Sequence, residues 1–340
     1  MATLRSDIII PEVFTPYVIE QTTQRDAFLA SGVVQPMAEL NAAEGGGDFV
    51  NVPFYKANLS GDFEVLTDSS SLTPGKITAD KQVAAVLHRG RAFESRDLAA
   101  LAAGSDPMAA IGAKIADYIA NQRQKDLLAC LGGVFGAVGD TAGGAFLGLA
   151  VDGASGDTPT VLGPRQIVKA KALLGDQGEK LAAICVHPNV YYDLMERRAI
   201  DFIYDDNGAA DTAASQGSTA NAFGQVQVPT FMGLRVIVSA DVQTANSGSS
   251  TEYASYLFTQ GAIASGEQLG LQTETDRDIL AKSDAMSIDL HYVYHPVGSK
   301  FSSAVSNPTR AQLQTVGNWT KVYETNNIGI VRITSTSNLD

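Results

Sequence analysis

SDPMAAIGAKIADYIANQRQKDLLACLGGVFG, residues 105–136, sets the terms on which the rest of the chain is read. It opens with Asp106 as an N-cap and Pro107 at the first helical position, where a missing N–H costs nothing. Ile111, Ile115, Ile119 and Leu127 then fall on one i+4 row that Leu131 continues, interrupted by polar Arg123. Lys114, Gln122 and Lys125 point elsewhere, and the alanines between favour helix and permit close packing. Gly132 and Gly133 supply a stop signal, so the pattern predicts a helix over 106–131. At ~1.5 Å per residue it is roughly 40 Å long, more than a compact small domain needs. We read it as a spine.

Before the spine, residues 45–95 read as two extended strands around an irregular tip. Val50, Val52 and Phe54 alternate with Asn51 and Pro53, and Val83, Ala85 and Leu87 alternate on the way back. The turn signals between them, among them Ser60-Gly61-Asp62 and Thr73-Pro74-Gly75, make a loop far longer than the two to five residues usual in a hairpin. A lone two-stranded hairpin is marginal in water, so this one must lean on something, and a neighbouring copy is the obvious support. Residues 1–44 form an apolar arm (Ile8, Ile9, Ile10, Val13, Phe14, Phe28, Leu29) with a short helix predicted over 16–30 and no core of its own.

Beyond the spine, residues 132–163 are a Gly/Ala/Asp/Thr-rich connection. Residues 161–270 read as one α+β domain. A helix over 164–174 stops at Gly175, a strand covers 181–186, and His187-Pro188 opens a second helix carrying Val190, Tyr191, Leu194 and Met195. Strand-like runs follow at 231–239 and 253–258, and 205–225 is a long polar loop. In the last segment Met286, Ile288, Leu290, Tyr292 and Tyr294 alternate with Ser287, Asp289, His291, Val293 and His295, a period-2 strand. A short helix after Pro308 and a final strand over 328–333 complete the chain.

The composition narrows the function. The 340 residues hold 37 acidic against 24 basic side chains, a net charge of −13, which argues against holding nucleic acid by phosphate neutralisation. A hydrophobic share of 45% is ample for packed cores. Cys130 and Cys185 each lie in an apolar run and read as buried thiols rather than a disulfide. The opening MATLRSDIIIPEVF is no signal peptide, and no run approaches the ~18 apolar residues of a membrane span. A soluble protein made in a reducing cytoplasm is expected, with no membrane partner.

No motif for chemistry survives inspection. His291 and His295 would share a metal on a helix, but on a strand they stand roughly 13 Å apart. His88 and His187 are isolated. Asp205-Asp206-Asn207-Gly208 resembles a calcium loop, yet the EF-hand register puts Ile203 at the first ligand position and Ala214 at the twelfth, so it reads as a turn. The glycine-rich 132–148 stretch lacks the dinucleotide and phosphate-loop patterns. There is no G-x-S-x-G elbow. Glu274, Asp276 and Asp278 line one side of an extended segment and read as solvated or salt-bridged. Arg89, Arg91 and Arg96, read on the returning hairpin strand, are too few for a nucleic-acid surface but suffice for ion pairs between subunits. No catalytic, cofactor-binding or metal-ligating residue is assigned.

The order of elements resembles the major capsid protein of tailed bacteriophages, with its Hong Kong-type capsid fold. CVHPNVYYDLM (185–195), TDRDILAKSDAMSIDLHYVYHPVG (275–298) and NPTRAQLQTVGNW (307–319) carry the local likeness. The resemblance implies an α+β fold with an N-terminal arm (1–44) and an extended hairpin or E-loop (45–95). It further implies a first P-domain part with the spine helix (96–160), an A-domain (161–270), and a second P-domain part with the C-terminal strand (271–340). It also implies hexamers and pentamers of an icosahedral shell around double-stranded DNA, in a virion capsid assembled in the host cytoplasm. The arm begins almost at Met1, so a separate scaffolding protein is expected, together with a portal and possible decoration proteins. A bacterial nanocompartment (encapsulin-like) shell would use the same fold. A soluble α+β enzyme with an unrecognised site is the third reading. Some capsids of this type join a hairpin lysine to a neighbour's asparagine. Lys56, Lys76 and Lys81 with Asn307 or Asn318 have the residue types, but no glutamate aligns to assist them.

Overall fold

In the computed structural model the described residues are 28, 31–41, 47–56, 63–64, 76–97, 107–138, 144–151, 161–197, 200–204, 227–247 and 250–339. The polar loop 205–225, with its Asp205–Gly208 turn, lies outside them, as does the arm helix apart from Phe28 and the hairpin tip apart from Phe63 and Glu64. In chain order the first elements are β1 (Val34–Pro36), β2 (Phe49–Tyr55), β3 (Ala79–Ala85), β4 (Leu87–Arg96) and α1 (Pro107–Phe135). Next come β5 (Ala150–Val151), α2 (Pro164–Leu173), β6 (Leu181–Val186), α3 (Pro188–Glu196), β7 (Asp201–Tyr204) and β8 (Gln227–Phe231). They are followed by β9 (Leu234–Val238), β10 (Thr244–Ser247), β11 (Ser250–Thr259), β12 (Ile263–Asp278) and β13 (Ser283–Pro296). The last are β14 (Ser299–Phe301), α4 (Arg310–Gln314), β15 (Trp319–Lys321) and β16 (Ile330–Thr336).

These elements form two compact units, and the first takes Met1–Gly136, Ala142–Gly148 and Gly261–Ile328. Its sheet has the order β1-β12-β13-β4, with β1 parallel and the others antiparallel. Ile115, Ala116 and Ile119 of α1 pack on Met286 and Ile288 of β13, with Phe93 and Leu290 beside them. The same period-2 alternation turns Val293 to the other face, where it meets Leu40, Val50, Ala84 and Val86. The base of the β2–β3 hairpin is thus part of a core, while Tyr55 and Ile77 further along it are exposed.

The spine helix does not stop at Gly132-Gly133 as its sequence suggested. It runs on to Phe135, and Gly136 ends it with φ +86°, its N–H bonding the Gly132 carbonyl at 2.8 Å. Gly133 serves packing instead: a Cβ there would collide with the Leu313 carbonyl oxygen and the Trp319 indole. From Asp126 to Phe135 every residue of α1 is buried, so a one-sided apolar stripe holds only for the first half.

The returning hairpin strand also differs from expectation. It divides at Val86: Ala79–Ala85 pairs with β2, whereas Leu87–Arg96 crosses to pair with β13. Arg89, Arg91 and Arg96 therefore belong to the four-stranded sheet rather than to the hairpin.

The second unit comprises Ala137–Thr141, Leu149–Gln260 and Gly329–Asp340. Its sheet runs β5-β16-β11-β6-β9-β8-β7, with β10 on β11. Pro188 opens α3, and the His187 Nδ1 accepts from the Asn189 N–H as its N-cap. The run at 231–239 is a hairpin, β8 turning into β9 at Met232 and Gly233, both with positive φ. Two boundaries move. β12 lies wholly in the first unit, so the segment from Gly261 leaves the α+β domain earlier than residue 270. The final strand, expected with the segment 271–340, sits between β5 and β11 with all seven residues buried. An apolar run at a chain end names no neighbour, which is why the sequence left its partner open.

Candidate functional site

Three features of the first unit could serve assembly, and the first is a buried charge node. Asp126 on α1 has a side chain only 2% exposed. Its Oδ1 accepts from Arg310 Nε at 2.7 Å, and its Oδ2 from Arg89 Nε at 3.2 Å and Tyr292 O–H at 2.7 Å. One carboxylate thereby ties the spine to β4, β13 and α4. Burial, reinforced by the Asp126 charge, pushes the Tyr292 phenol up, so it stays a donor. Arg89 is filled further by Asn307 Oδ1 at 2.8 Å and the Pro308 carbonyl at 2.7 Å. Read from sequence as an inter-subunit cation, Arg89 is satisfied within its own chain.

Arg123, the residue that broke the apolar row, has a similar explanation. It donates from Nε to Tyr294 O–H at 2.9 Å and pairs with Glu267 at 3.0 Å. Its guanidinium lies 5.2 Å from the Tyr292 ring centre. The row is interrupted because the spine is pinned to the sheet there by charge as well as by apolar contact.

The second feature is the hairpin base. Buried Gln82 donates to Tyr323 O–H at 2.8 Å, and its Oε1 accepts from Gly298 N–H at 3.1 Å. His295 Nε2 lies 3.1 Å from the Ser299 carbonyl, which can only accept, so Nε2 carries the proton. Nδ1 is then a buried lone pair with no partner among the described residues. Burial holds this imidazole down at about 4. His291 and His295 do stand on a strand, and no three-ligand metal cluster occurs among the described residues. His291 instead packs against His88, ring centres 4.2 Å apart.

The third feature is exposed apolar surface on projecting turns. Ile279 and Leu280, at 80% and 98% exposure, cap the β12–β13 hairpin. Hydrogen bonds brace that turn: Asp278 Oδ1 accepts from the N–H groups of Leu280 and Ala281, and Arg277 spans Asp284 and Asp97 at 2.7 Å each. Glu274, Asp276 and Asp278 are exposed, as a solvated row should be. On the other hairpin Tyr55, Phe63 and Ile77 are exposed as well. Single exposed apolar groups are ordinary, but several on two projecting hairpins are the marks of a subunit built to be covered.

A family profile described as phage capsid protein matches residues 79–307, about two thirds of the chain. The chain belongs to the phage capsid protein family. It is also 37% identical over 336 residues to the major capsid protein of Bacillus phage SPP1, covering 96% of each. Among solved structures the capsid protein fold recurs in the Cyanophage Pam1 capsid asymmetric unit, with a TM-score of 0.59, 14% identity and 93% of each chain covered. It recurs too in the capsid of Ralstonia phage GP4, with a TM-score of 0.55, 9% identity and 90% and 87% covered. At such identities these two structures speak to the fold alone, which is the tailed-phage capsid fold expected from the resemblance.

Proposed function

We propose that this chain is the major capsid protein of a tailed phage, a structural rather than an enzymatic component, which assembles into the hexamers and pentamers of an icosahedral shell around double-stranded DNA. The observation that carries this reading is the 37% identity, across 96% of both chains, to the major capsid protein of Bacillus phage SPP1. That relative favours a virion over a nanocompartment shell. The β2–β3 hairpin then acts as the E-loop, α1 with its four-stranded sheet as the P-domain, and the second unit as the A-domain. Head-to-tail contacts between such subunits close into rings, and the exposed hairpins supply surfaces for them. The acidic surface suits a container that must not trap the DNA entering it. Assembly in the host cytoplasm, with a separate scaffolding protein, a portal and decoration proteins as partners, completes the reading.

The test is sedimentation of the purified chain, alone and co-produced with its scaffolding protein. Particles of many subunits are expected. A monodisperse monomer under every assembly condition contradicts the proposal.

A further inference from the structure

His88 on β4 and His291 on β13 stand directly opposite one another in the antiparallel ladder, with ring centres 4.2 Å apart. Opposite residues on paired strands put their side chains on one face with Cβ atoms ~5 Å apart, from where two imidazoles can reach one ion. Asp289, two residues before His291, shares that face, and its carboxylate lies over Gly90, where any side chain would collide with it. Asp48, just before β2, approaches from the hairpin base, its Oδ1 3.7 Å from His88 Nε2. That is too long for a hydrogen bond, yet only slightly longer than the ~3.3 Å separating neighbouring donors around a tetrahedral zinc ion. Neither imidazole makes a side-chain hydrogen bond among the described residues.

We propose that His88 and His291, with Asp48 as third ligand, hold a late first-row divalent cation, zinc or one of its neighbours, at the base of the β2–β3 hairpin. Imidazole nitrogen and carboxylate oxygen are donors that such ions take, and a net charge of −13 favours any cation. Calcium and magnesium, which want about six or more oxygen ligands, are poorly served here. The rings meet at 77°, so closing on one ion takes a turn of an imidazole about χ2, and both rings are only half-buried. Burial and the neighbouring His88 hold His291 below its ordinary value, which leaves its lone pair open at neutral pH. The Asp48 carbonyl accepts from the Val86 N–H at 2.9 Å, and β3 gives way to β4 at Val86. An ion held by residues 48, 88 and 291 therefore ties the start of β2 and the strand division to the four-stranded sheet, all within the first unit. The other nitrogen and sulfur ligands are engaged or buried: His187 Nδ1 caps α3, His295 lies against Ser299, and Cys130 and Cys185 are buried. The site lies within one chain and does not depend on the shell reading.

The test is calorimetric titration of the full chain with zinc, with cobalt(II) as the optical probe. One ion per chain is expected, with the visible absorption of a four-coordinate nitrogen–oxygen cobalt site, and zinc should raise the urea midpoint read by Trp319 fluorescence. His88→Gln and His291→Gln should each weaken binding by at least about tenfold, the loss that even an outer-shell partner costs, while His187→Gln leaves the affinity unchanged. Without metal, both variants should keep the wild-type Trp319 emission, so that lost binding is not lost folding. On the unaltered chain, zinc should slow acylation of His88 and His291 by diethyl pyrocarbonate, read by mass spectrometry. The proposal is overturned if zinc does not bind, if it leaves those acylation rates unchanged, or if the double variant binds it like wild type, which would trace binding to the acidic surface.

Discussion

Asp126 Oδ1 and Arg310 Nε lie 2.7 Å apart, joining the spine helix to the C-terminal segment across 184 residues of sequence. Arg89 and Tyr292 share the same carboxylate, so its loss strands two guanidinium groups and a buried phenol together. Breaking a buried pair by deleting one partner costs more than the pair contributes, because the remaining charge loses its counter-ion. Asp126→Ala is therefore expected to lower the unfolding free energy by about 3 kcal/mol, read as a reduced urea midpoint by Trp319 fluorescence. Arg310→Met is expected to cost clearly less, since Arg310 is 40% exposed and Arg89 stays on Asp126. Equal losses would mean the node is not organised around the carboxylate.

His295 makes the first unit sensitive to acid. Its folded value of about 4 lies below the ordinary 6.5, the cause being burial. The unfolded chain takes up the proton first, so the stabilisation is full above about pH 6.5 and is lost as pH falls toward 4. That depression corresponds to roughly 3 kcal/mol. His291 is depressed as well, through burial and its contact with His88, and the lowered values of Asp80 and Asp278 add losses at the acid end. The clean readout is thus a difference: His295→Gln should flatten the fall in urea midpoint between pH 7 and pH 5 relative to wild type. An unchanged slope would remove His295 from the account.

Gly133 reverses the usual helix rule. In an exposed helix, Gly→Ala stabilises by about 1 kcal/mol. Here the added methyl meets the Leu313 carbonyl and the Trp319 ring, so Gly133→Ala is expected to destabilise by about 2 kcal/mol and to shift the Trp319 emission. Gly317, with nothing within 4 Å of a built Cβ, is the control, and Gly317→Ala should fall within about 0.5 kcal/mol of wild type.

Covalent linkage between subunits is not expected. Asn307 gives its side-chain oxygen to the His88 N–H and to Arg89, Asn318 donates to the Gln312 carbonyl, and Lys56 pairs with Asp80. Boiled denaturing gels of mature particles should show one band near 35.7 kDa. A ladder resistant to boiling and to reductant would contradict this.

Much of the architecture is legible where a pattern is local. The alternation from Met286 to Tyr294 gives a true strand, and His187-Pro188 opens a true helix. What the sequence hides is set by distant partners. Gly133 looks like a stop until Trp319 is brought against it, and Arg123 looks like a blemish until Tyr292, Tyr294 and Glu267 surround it. Asp126 gives no signal of its own, because its three partners come from 37, 166 and 184 residues away.

The central claim is that this chain builds a closed shell. Electron microscopy of particles from the chain co-produced with its scaffolding protein tests it most directly. The account predicts icosahedral shells whose hexamers and pentamers accept this subunit, with α1 intact and both hairpins covered by neighbouring copies. Open aggregates, or only unassembled subunits with both hairpins bare, would contradict it.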